Sequence, residues 1–326
     1  MNIKTFLKRN SVIRKIGKRY NINKQFKQDA RDFINYYIEA AEEKGDYRYS
    51  ILLLTHSLEK GMCFSNPRPF GVDKVTEMIS ILSNYPEKCK NGFEYRLGFA
   101  VLKAWIDFYN DHNWQSEKMY NEVSDFLKIN NCDVKIVSGT KAYTPIYSED
   151  ASNVYDKYFL NRHSVRDYQD RKLNIDDIRF ALKCFIDTPT ACNRQMCHIY
   201  YIKNPELSNL LKKVVVGIPG INKKTVQFFV ITYDLSSFAY SGERQQGMFN
   251  AGLCTMSFIN GLHAKGIGSC CLQWSNKSNQ DCMVRRSLGL RDSERIGVVV
   301  GAGYYLEKNV IPCSARKSTD DFFTVL

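Results

Sequence analysis

Val226-Gln227-Phe228-Phe229-Val230-Ile231-Thr232-Tyr233 is the stretch on which the fold turns. It is dense in β-branched and aromatic residues and holds no glycine or proline, so it reads as a strand buried on both faces. Its surroundings alternate. His198–Lys203 upstream has strand character, and Leu207–Val216 between them has helical spacing. Downstream, Glu243–Lys265 reads as a long helix rich in small residues, and Ser269–Leu272 as a short strand. Ser278–Leu288 then reads as a helix and Ile296–Ala302 as an apolar strand. Before all of these, a helix is expected from about Ser152 to Leu160. A second, capped by Asn174, runs through Ile175, Ile178, Ala181, Leu182 and Phe185. Such alternation predicts an α/β or α+β layered domain over residues 151–326.

The first part of the chain has a different period. Phe33, Tyr36, Tyr37 and Ala40 recur at helical spacing, as do Val75, Met78, Ile79 and Leu82. Leu97, Val101, Leu102, Trp105 and Phe108 repeat the pattern. Turn signals at Asn66-Pro67-Arg68-Pro69 and Asn84-Tyr85-Pro86 separate them. The polar stretch from Asn130 to Asp150 reads as a linker or long loop. The expected division is a basic arm at 1–28, a helical accessory region with its linker at 29–150, and a mixed domain at 151–326. No repeat of solenoid length is visible.

Charge sharpens this picture. Lys+Arg minus Asp+Glu is 46 − 34 = +12 over 326 residues, yet nine basic residues precede the first acidic one, Asp29. Removing them leaves 12 − 9 = +3, so the body is not a nucleic-acid-binding surface by charge. Within the arm, Ile3, Phe6, Leu7, Ile13 and Ile16 alternate with cations. That pattern fits an amphipathic surface helix or a solvated basic arm, and the solvated arm is the expected one. No apolar run approaches the ~20 residues of a membrane span. The basic start is followed by no signal-peptide core, so a cytoplasmic location is expected. Eleven cysteines are scattered from Cys63 to Cys313 without a CxxC pair or zinc spacing. They read as reduced, mostly buried thiols, and no metal site is expected.

Three chemical signals fail. Gly301-Ala302-Gly303 follows a strand, but Leu306 takes the third glycine position of a dinucleotide fingerprint, and too little chain follows for the acidic partner. His56 and Lys60 share a helical face, and nothing else converges on them. No Gly-x-Ser-x-Gly elbow or Cys/His arrangement occurs.

A constellation in the back half is stronger. Arg162-His163-Ser164-Val165-Arg166 packs two guanidiniums, an imidazole and a hydroxyl into five residues, a set suited to an anionic ligand. Thr188-Pro189-Thr190-Ala191-Cys192-Asn193-Arg194-Gln195 forms a loop of small and amide residues before a strand. The long helix ends in Gly266-Ile267-Gly268-Ser269-Cys270-Cys271-Leu272-Gln273, and Ser314-Ala315-Arg316-Lys317 adds a basic site near the C-terminus.

Taken together, these motifs resemble the FMN-dependent nitroreductase family. Arg162–Arg166, followed by Tyr168, is similar to its opening Arg-(Arg/His)-Ser-x-(Arg/Lys) motif. Thr190–Gln195 is similar to its Ser-x-x-Asn-x-Gln loop, and Gly266–Gln273 to its glycine-led strand. Arg316 matches its C-terminal phosphate-binding Arg. The resemblance covers about residues 152–326. It implies an α+β fold, a three-layer mixed sheet flanked by helices, here preceded by an all-helical N-terminal region. It also implies that Arg162, Ser164 and Arg316 hold the FMN phosphate and ribityl region with His163 beside them, and that Arg166 approaches the pyrimidine edge. Thr190, Asn193 and Gln195 would hydrogen-bond the ring or ribityl chain, and the backbone at Leu272 and Gln273 would face N5.

No side chain is expected to be catalytic in itself, because the flavin carries the redox chemistry. The implied cycle is ping-pong: NADH or NADPH delivers hydride, and a small oxidised acceptor (nitroaromatic, quinone or flavin) removes it. The implied assembly is a homodimer with flavins at the subunit interface. Met196 and Cys197 stand where many members have Pro and Trp. Trp274 replaces a frequent Gly, and it either narrows the substrate site or turns into the core. The alternative reading is a non-catalytic or sensory flavin-fold protein that docks on a membrane surface or partner through its N-terminal region.

Overall fold

The structure, a computed structural model, describes residues 11–130, 135–145, 148 and 150–326. The front helices are α1 (Ser11–Tyr36), α2 (Ile38–Glu42), α3 (Arg48–Met62), α4 (Val72–Ser83), α5 (Phe93–Asp111) and α6 (Lys118–Ile129). The basic arm is therefore helical from Ser11 onward; its residues 1–10, with Ile3, Phe6 and Leu7, lie outside the described residues. Helical spacing places Ile51, Leu54 and Leu58 of α3 against Val75, Met78 and Leu82 of α4. Phe99, Leu102 and Trp105 of α5 and Val123 and Phe126 of α6 complete the cluster. Burying each such side chain contributes roughly 1.5–3 kcal/mol. Gly98 permits the α4–α5 contact, since a Cβ there would stand 2.9 Å from Leu82 Cδ2. Residues 135–145 lack regular structure and lie on this bundle, where Ser138 Oγ donates to Glu59 Oε1 at 2.8 Å.

The back elements are α7 (Asp150–Tyr155), continued by a π turn over Asp156–Leu160, then α8 (Ile175–Ile186), β1 (Cys197–Ile202) and α9 (Pro205–Val214). They continue with β2 (Gln227–Asp234), α10 (Gln246–Ala264), β3 (Ile267–Leu272), α11 (Ser278–Ser287) and β4 (Glu294–Tyr304). Asn174 caps α8, as expected, with Oδ1 accepting from Asp176 N at 3.0 Å; Asn204 caps α9 in the same way.

The sheet order is β1-β2-β4-β3, and every ladder is antiparallel. A single parallel bridge, Ser164↔Ser269, adds the 162–166 segment beyond β3. Alternation divides β2 between two cores. Phe228 and Val230 face α9 and α11 with Leu211 and Val284, whereas Phe229 and Ile231 face α8 and α10 with Ala181, Phe185, Cys254 and Phe258. Helix, sheet and helix make three layers.

A fourth cluster joins front to back. Ile38, Tyr49, Leu52 and Leu97 pack with Met196, Leu235 and Phe238. Ile38 N donates to Phe238 O at 2.9 Å, and Asp32 pairs with Arg295 at 2.8 Å. Asp234, fully buried, lies 3.7 Å from Arg48 of α3 and 3.2 Å from Arg291.

The described cysteines are all free, but they are less buried than their sequence pattern predicts. Cys254 and Cys270 are buried, while Cys63, Cys89, Cys271 and Cys313 are exposed on loops and a strand edge.

Candidate functional site

The π turn ends at Leu160, and the chain then runs beside β3. Val165 N donates to Ser269 O at 3.1 Å, which fixes the register of the 162–166 segment. Gly268 allows the approach, because a Cβ there would meet Val165 Cγ2 at 2.3 Å. The main-chain carbonyl of Arg166 accepts from Asn222 N at 2.8 Å, and Asn222 Nδ2 donates to Asp167 at 2.7 Å.

Arg162, His163, Ser164 and Arg166 line a cleft of about 100 Å³ whose other wall is Ile311, Pro312, Ser314 and Arg316. The basic motif and the C-terminal Arg thus meet. Ser314 adopts a left-handed φ of 47° and accepts from Arg316 Nη1 at 2.9 Å, which turns the tail back towards the 162–166 segment. Arg162 Nε is buried and has no acceptor. An unsatisfied buried donor of this kind costs about 1–3 kcal/mol, a cost that an anion in the cleft would remove. Sequence reasoning missed Ile311 and Pro312, which carry no chemical signal and enter the site only through the returning tail.

Leu272 is buried at the end of β3 and Gln273 is exposed. Gly217 lies over this point: a Cβ there would stand 3.5 Å from Gln273 N. Trp274 is half-buried on the adjoining core, with Nε1 donating to Asp281 Oδ1 at 2.8 Å, so its ring is tied to α11.

Thr190, Asn193 and Gln195 are not in the cleft. Their loop opens β1, and β2, β4 and β3 separate it from the 162–166 segment, four strand positions or roughly 19 Å across the sheet. The loop is held tightly. Cys192, Asn193 and Gln195 occupy the left-handed region at φ 53°, 49° and 50°. For residues other than glycine this costs about 1 kcal/mol or more each.

Arg194, with no exposed surface, anchors the loop. Its guanidinium pairs with Glu243 and donates to Ser237 O at 2.5 Å and Ala191 O at 3.0 Å. Thr190 Oγ1 accepts from Gln195 N at 2.9 Å, and Asn250 Oδ1 accepts from Ala191 N at 2.9 Å. Helix α3 packs against this turn, and Ala191 lies on the cluster shared by front and back. The Asn193 and Gln195 side chains are left exposed.

The discarded signals have structural explanations. Gly303 accommodates the ring of Tyr168, and Gly301 makes room for Val226 and Leu272. His56 is partly buried, and burial with the Lys60 charge holds its pKa below the ordinary 6.5. Among the described residues no His, Cys, Asp and Glu cluster could hold a metal ion, and no helix is long and apolar enough to cross a membrane.

No family model and no curated protein matches this sequence. Solved structures resemble about half of it. The putative nitroreductase ydfN of Bacillus subtilis is 14% identical over 54% of this chain and 100% of its own, with a TM-score of 0.48. A putative nitroreductase in complex with FMN from Desulfovibrio desulfuricans is 17% identical over 52% and 95%, with a TM-score of 0.44. An FMN-dependent nitroreductase from Clostridium difficile R20291 is 18% identical over 50% and 92%, with a TM-score of 0.41.

Proposed function

We propose that the chain is an FMN-dependent oxidoreductase that takes reducing equivalents from NADH or NADPH and passes them to a small oxidised acceptor such as a nitroaromatic or a quinone. The observation that carries this reading is the convergence of Arg162, Ser164, Arg166 and Arg316 on one cleft that holds a buried, unsatisfied guanidinium N–H. The donor set fits a phosphate monoester, because guanidinium forks and a hydroxyl match its oxygens.

Arg162, Ser164 and Arg316 would hold the phosphate and ribityl region, with His163 at the rim. Arg166 supplies a fixed cation in the same cleft, suited to stabilise negative charge on a reduced ring. The Gln273 main chain, at the end of β3, would offer an N–H to the ring. FMN, when bound, supplies the hydride chemistry itself.

Thr190, Asn193 and Gln195 complete this site from a second copy of the chain. One chain holds them too far from its own cleft, whereas a two-fold dimer would bring the loop of one copy to the cleft of the other. Helix α10 presents Met248, Phe249, Leu253 and Met256 outward on one side, an apolar face suited to the dimer axis.

The test is a visible spectrum of the purified protein, repeated anaerobically with NADH and then NADPH. Flavin absorption that bleaches is expected. Arg162→Ala combined with Arg316→Ala should release FMN, and unchanged flavin content in that variant rejects the site.

A further inference from the structure

We infer that the outward face of α1 docks on an anionic membrane surface. Between Ser11 and Gln28 the chain carries Arg14, Lys15, Lys18, Arg19, Lys24 and Lys27 and no acidic residue. The structure makes this segment a helix, and a helix sorts its residues by face. Gln25, Asp32 and Phe33 fasten it to the body: Gln25 Oε1 accepts from Ser278 N at 2.9 Å, Asp32 pairs with Arg295, and Phe33 stacks on Phe238. At 3.6 residues per turn, Val12, Ile16 and Tyr20 fall on the opposite face. They are 61%, 62% and 67% exposed.

Arg19 flanks this stripe on one side. Lys24 flanks it on the other, and Lys27 continues it one turn on. Apolar side chains facing solvent and bordered by cations match the interface of a bilayer, where the apolar groups enter the acyl boundary and the cations meet lipid phosphates. A nucleic-acid backbone would use the cations and leave the isoleucine in water. The remaining charge agrees: with the arm's excess removed the body is nearly balanced, so attraction to an anionic surface acts on α1 and orients the molecule.

Full-length protein should sediment with phosphatidylcholine–phosphatidylglycerol vesicles at low salt, not with phosphatidylcholine alone, and should be released at high salt. Lys24→Gln with Lys27→Gln should weaken binding by on the order of thirty-fold. Ile16→Ser with Tyr20→Ser should weaken the binding at low salt although every cation is kept; retained helicity and unchanged unfolding would show that this variant folds. Failure of the intact protein to bind anionic vesicles overturns the inference, as does binding insensitive to the Ile16 and Tyr20 substitutions. If those substitutions instead dissolve a concentration-dependent dimer that ignores vesicles, the face belongs to a second copy and the inference falls.

Discussion

Gly303 on β4 and Tyr168 touch so closely that a Cβ at position 303 would stand 2.5 Å from Tyr168 Cβ and 2.6 Å from its Cγ. The Tyr168 hydroxyl lies between two carbonyls, 2.9 Å from Val165 O and 3.2 Å from Gly301 O. The glycine therefore seats the segment that carries Arg162 to Arg166. Gly303→Ala should destabilise the fold by about 1–3 kcal/mol, as overpacking does. It should also lower bound flavin, because the segment must shift. Urea unfolding and the flavin-to-protein absorbance ratio measure both; Tyr168→Phe should cost only about 1 kcal/mol.

Arg194 and Glu243 form the second structural keystone. Replacing Arg194 with Ala leaves a carboxylate in a largely buried place and empties the position of a fully buried side chain. Loss of about 3–5 kcal/mol is expected by chemical denaturation. Glu243→Gln, which keeps hydrogen-bonding atoms, should lose less.

The same pair sets acid sensitivity. Burial pushes the Glu243 pKa up, but hydrogen bonds from Arg194 and from the Ala239 and Tyr240 main chain outweigh it, so the pKa falls below the ordinary 4.5. Asp46 behaves likewise: Arg48 outweighs burial and lowers its pKa below 3.8. A depressed folded-state pKa means that the unfolded chain binds more protons in that range. Both contributions are complete above the unfolded values and fade as pH falls through the folded ones. The carboxylate contribution should therefore drop steeply below about pH 4.5, on top of a shallower decline in unfolding temperature that starts near pH 6.5, where burial holds the folded-state pKa values of His56, His198 and His263 below the ordinary one. Glu243→Gln should shallow that drop.

Subunit mixing tests the shared site. One parent carries Arg162→Ala and Arg316→Ala, the other Asn193→Ala and Gln195→Ala, and each alone should bind little FMN. Random reassortment of the two should restore about a quarter of the sites, since each mixed dimer assembles one site from two unaltered halves. No recovery after proven exchange would mean that loop and cleft serve the same site within one chain, or different ones.

Much of this was legible in the chain. Strands β1 to β4 and the helices around them followed from period and from the Asn174 cap, because a cap and an apolar run such as Val226–Tyr233 act locally. The cleft was legible as chemistry in Arg162–Arg166 and Arg316, though the turn at Ser314 that unites them is a backbone conformation without a residue signature. The distance between Thr190–Gln195 and the cleft was not legible, because strand order is a long-range property. Arg194 was hidden in its motif: nothing local says that this cation is buried while its neighbours Asn193 and Gln195 face outward. Before Asp29 the chain is helical from Ser11 and mostly exposed, because a run of cations does not by itself oppose helix formation.

Asp234 has a consequence for how such a chain can change. Its carboxylate sits fully buried between Arg48, which the front helices bring, and Arg291, from the turn before β4. A back half severed near residue 140 would keep the acid and lose one of its two cations, along with the cover over Met196 and Phe238. The front helices thus lend the cleft-bearing half both a countercharge and apolar cover, so cutting them away would strip stability from the half that stays.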